Sequence, residues 1–185
     1  MRVILSIIFF LNLNFSFSQS VTNKLKSFNS FKAGEKLEYK LQYGFLNASY
    51  ASLTLKEDLV NNKKVLRATS IGRTTGLARL FFKVDDTYET FFSFDKVQPL
   101  KSIRDIYEGG YVRNAETLYD YNSNTAFFHD KIKNIKKEFK IHPEIQDIIS
   151  TFYYLRKHFD ISSLKPNDLI YVYIFFDQEI YPFQM

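Results

Sequence analysis

Leu37-Glu38-Tyr39-Lys40-Leu41-Gln42-Tyr43 alternates apolar and polar side chains without a break. A period of two is the spacing of a strand with one buried and one wet face, because successive side chains leave the pleat on opposite sides. Gly44 to Asn47 then reads as a turn. Beyond it Ala51, Leu53 and Leu55 alternate with Ser52, Thr54 and Lys56, so the two runs predict a β-hairpin. Asn61-Asn62 marks a second turn, and residues 65–71 a third strand.

The same grammar continues downstream. Gly72 to Gly76 interrupts it, and apolar residues return at Leu77, Leu80, Phe81, Phe82 and Val84. Strand-like runs follow at 88–94, 103–107, 111–121 and 125–129, separated by Gln98-Pro99, Gly109-Gly110 and Asn122-Ser123-Asn124. Short strands about 8–12 residues apart, with turn chemistry between them, predict an antiparallel meander rather than βαβ units.

One segment breaks the period. Pro143 suits a first helical position, Glu144 and Asp147 suit the positive end of the dipole, and Arg156, Lys157 and His158 its negative end. Ile145, Ile148, Ile149, Phe152, Leu155 and Phe159 share an arc of about 120° at helical spacing. The fold class expected is therefore mainly β: a curved antiparallel sheet or partly open barrel, with one amphipathic helix at about 143–159 packed on it. After the Lys165-Pro166-Asn167-Asp168 turn, residues 169–176 (Leu-Ile-Tyr-Val-Tyr-Ile-Phe-Phe) are continuously apolar, which predicts a strand buried on both faces. Such a strand needs neighbours on both sides. That leads to the expectation of a domain over 31–185 that lacks its last strands.

The other end of the chain carries an address. Met1-Arg2, the apolar run 3–17, and Ser16 and Ser18 ahead of Gln19 have the layout of a cleaved secretory signal peptide over 1–18. The run is too short for a membrane span and no second one follows, so no transmembrane segment is expected. Residues 19–30 read as a flexible lead-in. The predicted location is the periplasm, reached by export.

Composition narrows the chemistry. There is no cysteine among the 185 residues, which removes thiol catalysis and cysteine-based metal sites. The formal charge is +5, or +4 once Arg2 leaves. Lys131, Lys133, Lys136, Lys137 and Lys140 have a single aromatic, Phe139, among them, so they read as solvated turn or edge lysines. No nucleic-acid partner is expected. His129, His142 and His158 match no metal-ligand spacing, and no nucleophile elbow, zinc-protease or nucleotide-loop motif occurs. No metal, no cofactor and no catalytic residue is predicted.

Two features remain. Arg156 falls on the predicted apolar arc, where a guanidinium must find a partner: a backbone carbonyl, a strand carboxylate, or the carboxylate or phosphate of a ligand. Phe and Tyr make up 33 of the 185 residues (20 and 13). The group Phe81, Phe82, Tyr88, Phe91 and Phe92 is either core or the wall of an apolar groove.

These residues also fall into a known pattern. Phe31, Gly34, Glu35, Leu37 and Tyr39 form an F-x-x-G-E-x-L-x-Y opening. Val84, Asp86 and Tyr88 form V-x-D-x-Y, with Pro99 later. Asp147, Ser150, Tyr153, Tyr154 and Arg156 form D-x-x-S-x-x-Y-Y-x-R. In order and spacing the chain from Phe31 to about Phe176 resembles the bacterial family called domain of unknown function 3108. The resemblance implies an exported envelope protein with a curved antiparallel sheet, a helix and further C-terminal strands, and it carries no mechanism. The architecture it implies is similar to the periplasmic lipoprotein carriers, which hold acyl chains in an aromatic cavity.

The expected function is a non-enzymatic envelope protein that binds a lipid or another amphipathic molecule in an aromatic groove, with Arg156, Phe81, Phe82, Tyr88 and Phe91 as its binding residues. The alternatives are a structural module docking to an envelope protein partner through a strand edge, and a cell-wall or polysaccharide hydrolase. The last requires two acids among Asp86, Asp105 and Asp147 to converge in a cleft.

Overall fold

A computed structural model describes residues 29–44 and 46–184. The signal segment expected at 1–18, and all but the last two residues of the lead-in, lie outside the described residues. Eight strands follow one another: β1 (Lys36–Tyr43), β2 (Leu46–Val60), β3 (Lys63–Thr74), β4 (Asp85–Phe92), β5 (Pro99–Glu108), β6 (Tyr111–Asp120), β7 (Thr125–Asp130) and β8 (Ile135–Lys140). Each pairs antiparallel with the next in chain order, and the sheet stays open with β1 and β8 at its edges. The turns carry the residues that such hairpins require. Asn61 and Asn62 both hold positive φ, 49° and 61°, between β2 and β3. This matches the right-handed twist of the flanking strands. The lysine-rich segment is β8, an edge strand whose side chains mostly face water.

One face of the sheet is packed. Leu53, Leu55, Leu66, Ala68 and Phe92 point to it and meet the helix α2 (Ile148–His158), with Phe31 wedged against the rings of Phe92 and Tyr153. A short strand β9 (Ile145–Gln146) pairs parallel with β10 (Tyr171–Phe176), and β10 pairs antiparallel with β11 (Glu179–Gln184). This small second sheet carries Phe175 onto Tyr119 and Phe139 of the large one.

Three expectations are corrected. The helix begins at Ile148, not near 143, because Asp147 caps it: its side chain accepts the Ser150 N–H at 2.7 Å while the Ser150 hydroxyl accepts the Asp147 N–H at 2.8 Å. Ile145 therefore lies on a strand. The buried face of α2 is Ser150, Tyr153, Tyr154 and Lys157, on the side away from the apolar arc, which leaves Ile148 and Phe152 43% and 37% exposed. Tyr153 and Tyr154 are buried while Ile149, Leu155 and Phe159 of the arc pack against the core only in part, and the Lys157 stem can pack because its ammonium donates to the Phe94 carbonyl at 2.5 Å. Finally, β10 is half-buried rather than buried on both faces: Val172 and Phe175 are buried, and Tyr173 and Ile174 pack against the core only in part. A further short helix, α1 (Gly76–Phe81), stands between β3 and β4, where the Gly72–Gly76 break offered no periodicity to read.

Candidate functional site

The predicted aromatic group does not assemble. Alternation along β4 sends Tyr88, Thr90 and Phe92 to the helix-covered face and Phe91 to the other, where Arg67 and Lys101 lie 5.3 and 5.7 Å from its ring. Phe92 is plain core. Phe81 and Phe82 close α1 at the end of the sheet and are 87% and 54% exposed. Only Tyr88 lines a cavity.

Arg156 is also placed differently from the expected cavity floor. Its two terminal nitrogens donate to Glu35 Oε1 and Oε2 at 2.7 and 2.8 Å, and one of them also to the Ser30 carbonyl at 2.5 Å. The guanidinium lies over Phe31, Phe152 and Tyr153, and the Glu35 hydrogen bonds raise its pKa. It is a brace that ties the start of the fold to the end of α2.

The motif positions explain one another in this geometry. Glu35 of the opening motif is the partner of Arg156 in the last one. Phe31 packs on Tyr153, and Asp147 with Ser150 form the helix cap. Asp147 is fully buried and receives the Thr90 hydroxyl of β4 at 2.5 Å, while desolvation raises its pKa. The motif residues Phe31, Glu35, Asp147, Ser150, Tyr153 and Arg156 thus hold α2 on the sheet.

A second arginine group lies elsewhere on the same face. Arg104 of β5 and Arg113 of β6 both donate to Asp177, which stands in the β10–β11 turn. Arg113 has 9% of its side chain exposed and Arg104 17%. Arg104 stacks 4.2 Å from the Phe176 ring and 5.6 Å from Tyr88, and Arg113 lies 5.6 Å from Phe128. The Nε atoms of both are buried without an acceptor. Arg104, Asp177, Tyr88, Ser102 and Tyr119 line a cavity of about 30 Å³ beneath the start of α2. Two guanidiniums thus share Asp177 as their hydrogen-bonding carboxylate, while Asp147 lines the same cavity and Asp86 lies within electrostatic reach of Arg104.

Beyond that cavity the sheet face is bare. A Cβ built on Gly72 would meet nothing within 4 Å. Tyr39 and Leu41 of β1, on the same face by register with Leu37, are 48% and 59% exposed. Ile148 and Phe152 of α2 are likewise exposed, at 43% and 37%.

Of the three acids that a hydrolase would draw on, Asp105 stands apart from the other two. Asp105 pairs with Thr87 and points away from the face that holds Asp86 and Asp147. Asp86 instead accepts the Tyr107 N–H at 3.1 Å; burial first, then the Glu108 carboxyl beside it, push its pKa up to about 6. His142 stacks on Tyr173 and His129 lies by Asn134. Among the described residues no group of acids and histidines is set to hold a metal. Arg104 and Arg113 escaped the sequence reading, although each sits at an inward position of its strand, alternating with Ser102 and Ile106 or with Ala115 and Thr117.

The family described as protein of unknown function DUF3108 matches residues 38–185. The chain belongs to this family. The matched segment contains β2 to β11 and both helices, while Phe31 and Glu35 precede it. The packing that joins α2 to the DUF3108 sheet is thus completed by residues just upstream. No curated protein and no solved structure matches the chain. No helix of the described residues is long and apolar enough to cross a membrane.

Proposed function

We propose that this DUF3108 protein is an exported, non-catalytic binding protein of the cell envelope that takes an amphipathic molecule with an anionic head. The observation that carries the reading is the Arg104–Arg113 pair, buried, stacked on aromatic rings and shared by a single carboxylate. Asp177 would be displaced by the head group, and the exposed side chains of Tyr39, Leu41, Ile148 and Phe152 would meet the apolar part. The cavity itself admits little more than one small group, so the β10–β11 turn must yield for a larger head to enter. Titration of delipidated protein with a fluorescent fatty acid and with its methyl ester tests this. The acid is expected to bind about tenfold more tightly than the ester, and Arg104→Gln to erase that difference. Protein that takes up neither probe would sink the reading.

One observation favours a second reading, a module that docks to an envelope protein. β11 is the outer strand of the small sheet, all six of its residues are exposed, and its far edge is unpaired among the described strands. Crosslinking from position 180 or 183 that captures a single envelope protein, with no lipid uptake, would favour it.

A further inference from the structure

The α1 corner exposes a set of apolar side chains unlike any other turn of the sheet. Leu77, Leu80, Phe81 and Phe82 are 55%, 80%, 87% and 54% exposed, and no residue of α1 is buried. Tyr111 and Val112, both about half exposed, lie at the same end, because Val84 bridges to Glu108 and the Gly109 N–H bonds to the Lys83 carbonyl at 2.8 Å. Phe82 packs so closely over Gly109 that a Cβ there would collide with its ring.

This corner is held rather than loose. Arg79 donates to both oxygens of Asp85 at 2.8 and 2.7 Å and to the carbonyls of Thr74 and Val84 at 3.4 and 3.3 Å. The Thr74 hydroxyl donates to the Phe82 carbonyl at 3.0 Å and accepts the Val84 N–H at 2.9 Å. The Thr75 N–H bonds to the Ala48 carbonyl at 3.0 Å. The ordering entropy of α1 is therefore spent on folding, not on binding. Exposed apolar side chains on a fixed protrusion mark an interaction surface.

Charge chooses the partner. Arg73 and Lys83 are exposed beside the apolar tip, and with Arg79 they lie round the paired carboxylate of Asp85, while Glu108 is turned to the buried Asp86. A convex apolar tip collared by cations fits the headgroup layer of an anionic bilayer, into which Leu80 and Phe81 can insert while Arg73 and Lys83 meet lipid phosphates. We propose that the α1 corner docks the protein on an anionic membrane surface. This surface is separate from the arginine cavity and does not depend on it.

The test uses the mature chain from Gln19, which keeps every described residue, floated with vesicles of phosphatidylcholine alone or mixed with phosphatidylglycerol. Flotation with the anionic vesicles is expected to exceed that with neutral ones and to fall as salt is raised. Leu80→Ser with Phe81→Ser should weaken it about tenfold or more, and Lys83→Glu roughly fivefold. These side chains are exposed, so unchanged thermal melting should accompany the loss. The chain has no tryptophan. Phe81→Trp should therefore give a blue-shifted emission on anionic vesicles, and Phe127→Trp on β7 should not. A wild-type protein that stays unbound, a double serine variant that floats as well as wild type, or equal shifts at 81 and 127 would each overturn the proposal. So would tip variants that abolish self-association of a protein indifferent to vesicles, which would assign the corner to a second copy of the chain.

Discussion

The two arginine clusters on the helix-covered face are built from the same residue type and do opposite things. Arg156 meets one carboxylate with two parallel hydrogen bonds, adds a backbone carbonyl, and leaves no charge over. Arg104 and Arg113 divide a single carboxylate that is itself 46% exposed, and each retains a buried Nε with no acceptor. A guanidinium that joins the segment before β1 to α2 through a paired carboxylate is a fastening. A pair that shares one half-exposed carboxylate beside a cavity is held less tightly. What distinguishes them is the count of acceptors, not burial or aromatic stacking, which both clusters share.

The largest effect should come from breaking the Arg156 side. Glu35→Gln leaves Arg156 without its counter-charge and is expected to lower unfolding free energy by about 2–3 kcal/mol. That is below the figure for fully buried pairs because 24% of the Arg156 side chain still reaches water. Urea titration measures it, and Glu35→Leu with Arg156→Met should recover part of the loss.

Next in size is the cap beneath the same brace. Asp147→Ala removes the acceptor of the Ser150 N–H and of the Thr90 hydroxyl, a loss of about 2 kcal/mol, whereas Asp147→Asn should keep most of the stability. Thermal melting of the two variants separates capping from charge.

The Arg104–Arg113 side should respond the other way. Arg104→Gln is expected to change stability by less than about 1 kcal/mol, since Arg113 keeps Asp177, which is 46% exposed, and the Arg104–Asp177 contact is long at 3.5 Å. Asp177→Asn should raise fatty-acid affinity by freeing both guanidiniums. If either substitution instead unfolds the protein as Glu35→Gln does, the distinction between the two clusters is lost.

The smallest effect concerns pH. Folding raises the Asp86 pKa to about 6, so the native state holds a proton that the unfolded state releases. Its contribution disfavours folding above about pH 6, and that penalty disappears as pH falls towards the ordinary carboxylate value. Asp86→Asn, which keeps an acceptor for the Tyr107 N–H, should stabilise the protein at pH 8 and have no effect at pH 4. Melting curves at the two pH values check the sign.

The meander could be read in advance because strand alternation and turn residues are local. Leu37 to Tyr43, Asn61-Asn62 and Gly109-Gly110 each specify their conformation within a few positions. The helix was readable in type but not in start or face: Asp147 and Ser150 form a capping box that takes precedence over Pro143, and Tyr153 and Tyr154 win burial from the aliphatic arc. Arg156 stood out because it broke a pattern on one helix, yet its partner Glu35 lies at the far end of the chain. Arg104 and Arg113 broke no pattern, since a polar residue at an inward strand position is conspicuous only once the covering layer is known.

By itself, then, the sequence determined the strands of the meander up to β7, the existence of α2 and the strand β10, because these follow from side-chain period and turn chemistry over short spans, while α1, β8, β9 and β11 carried no such local signal. Only the tertiary structure decided which charges are balanced, which face of α2 is buried, and that Phe81 stands in solvent while Phe91 and Phe92 part to opposite faces. Those outcomes depend on which distant segment arrives to cover each surface, and no local pattern carries that information.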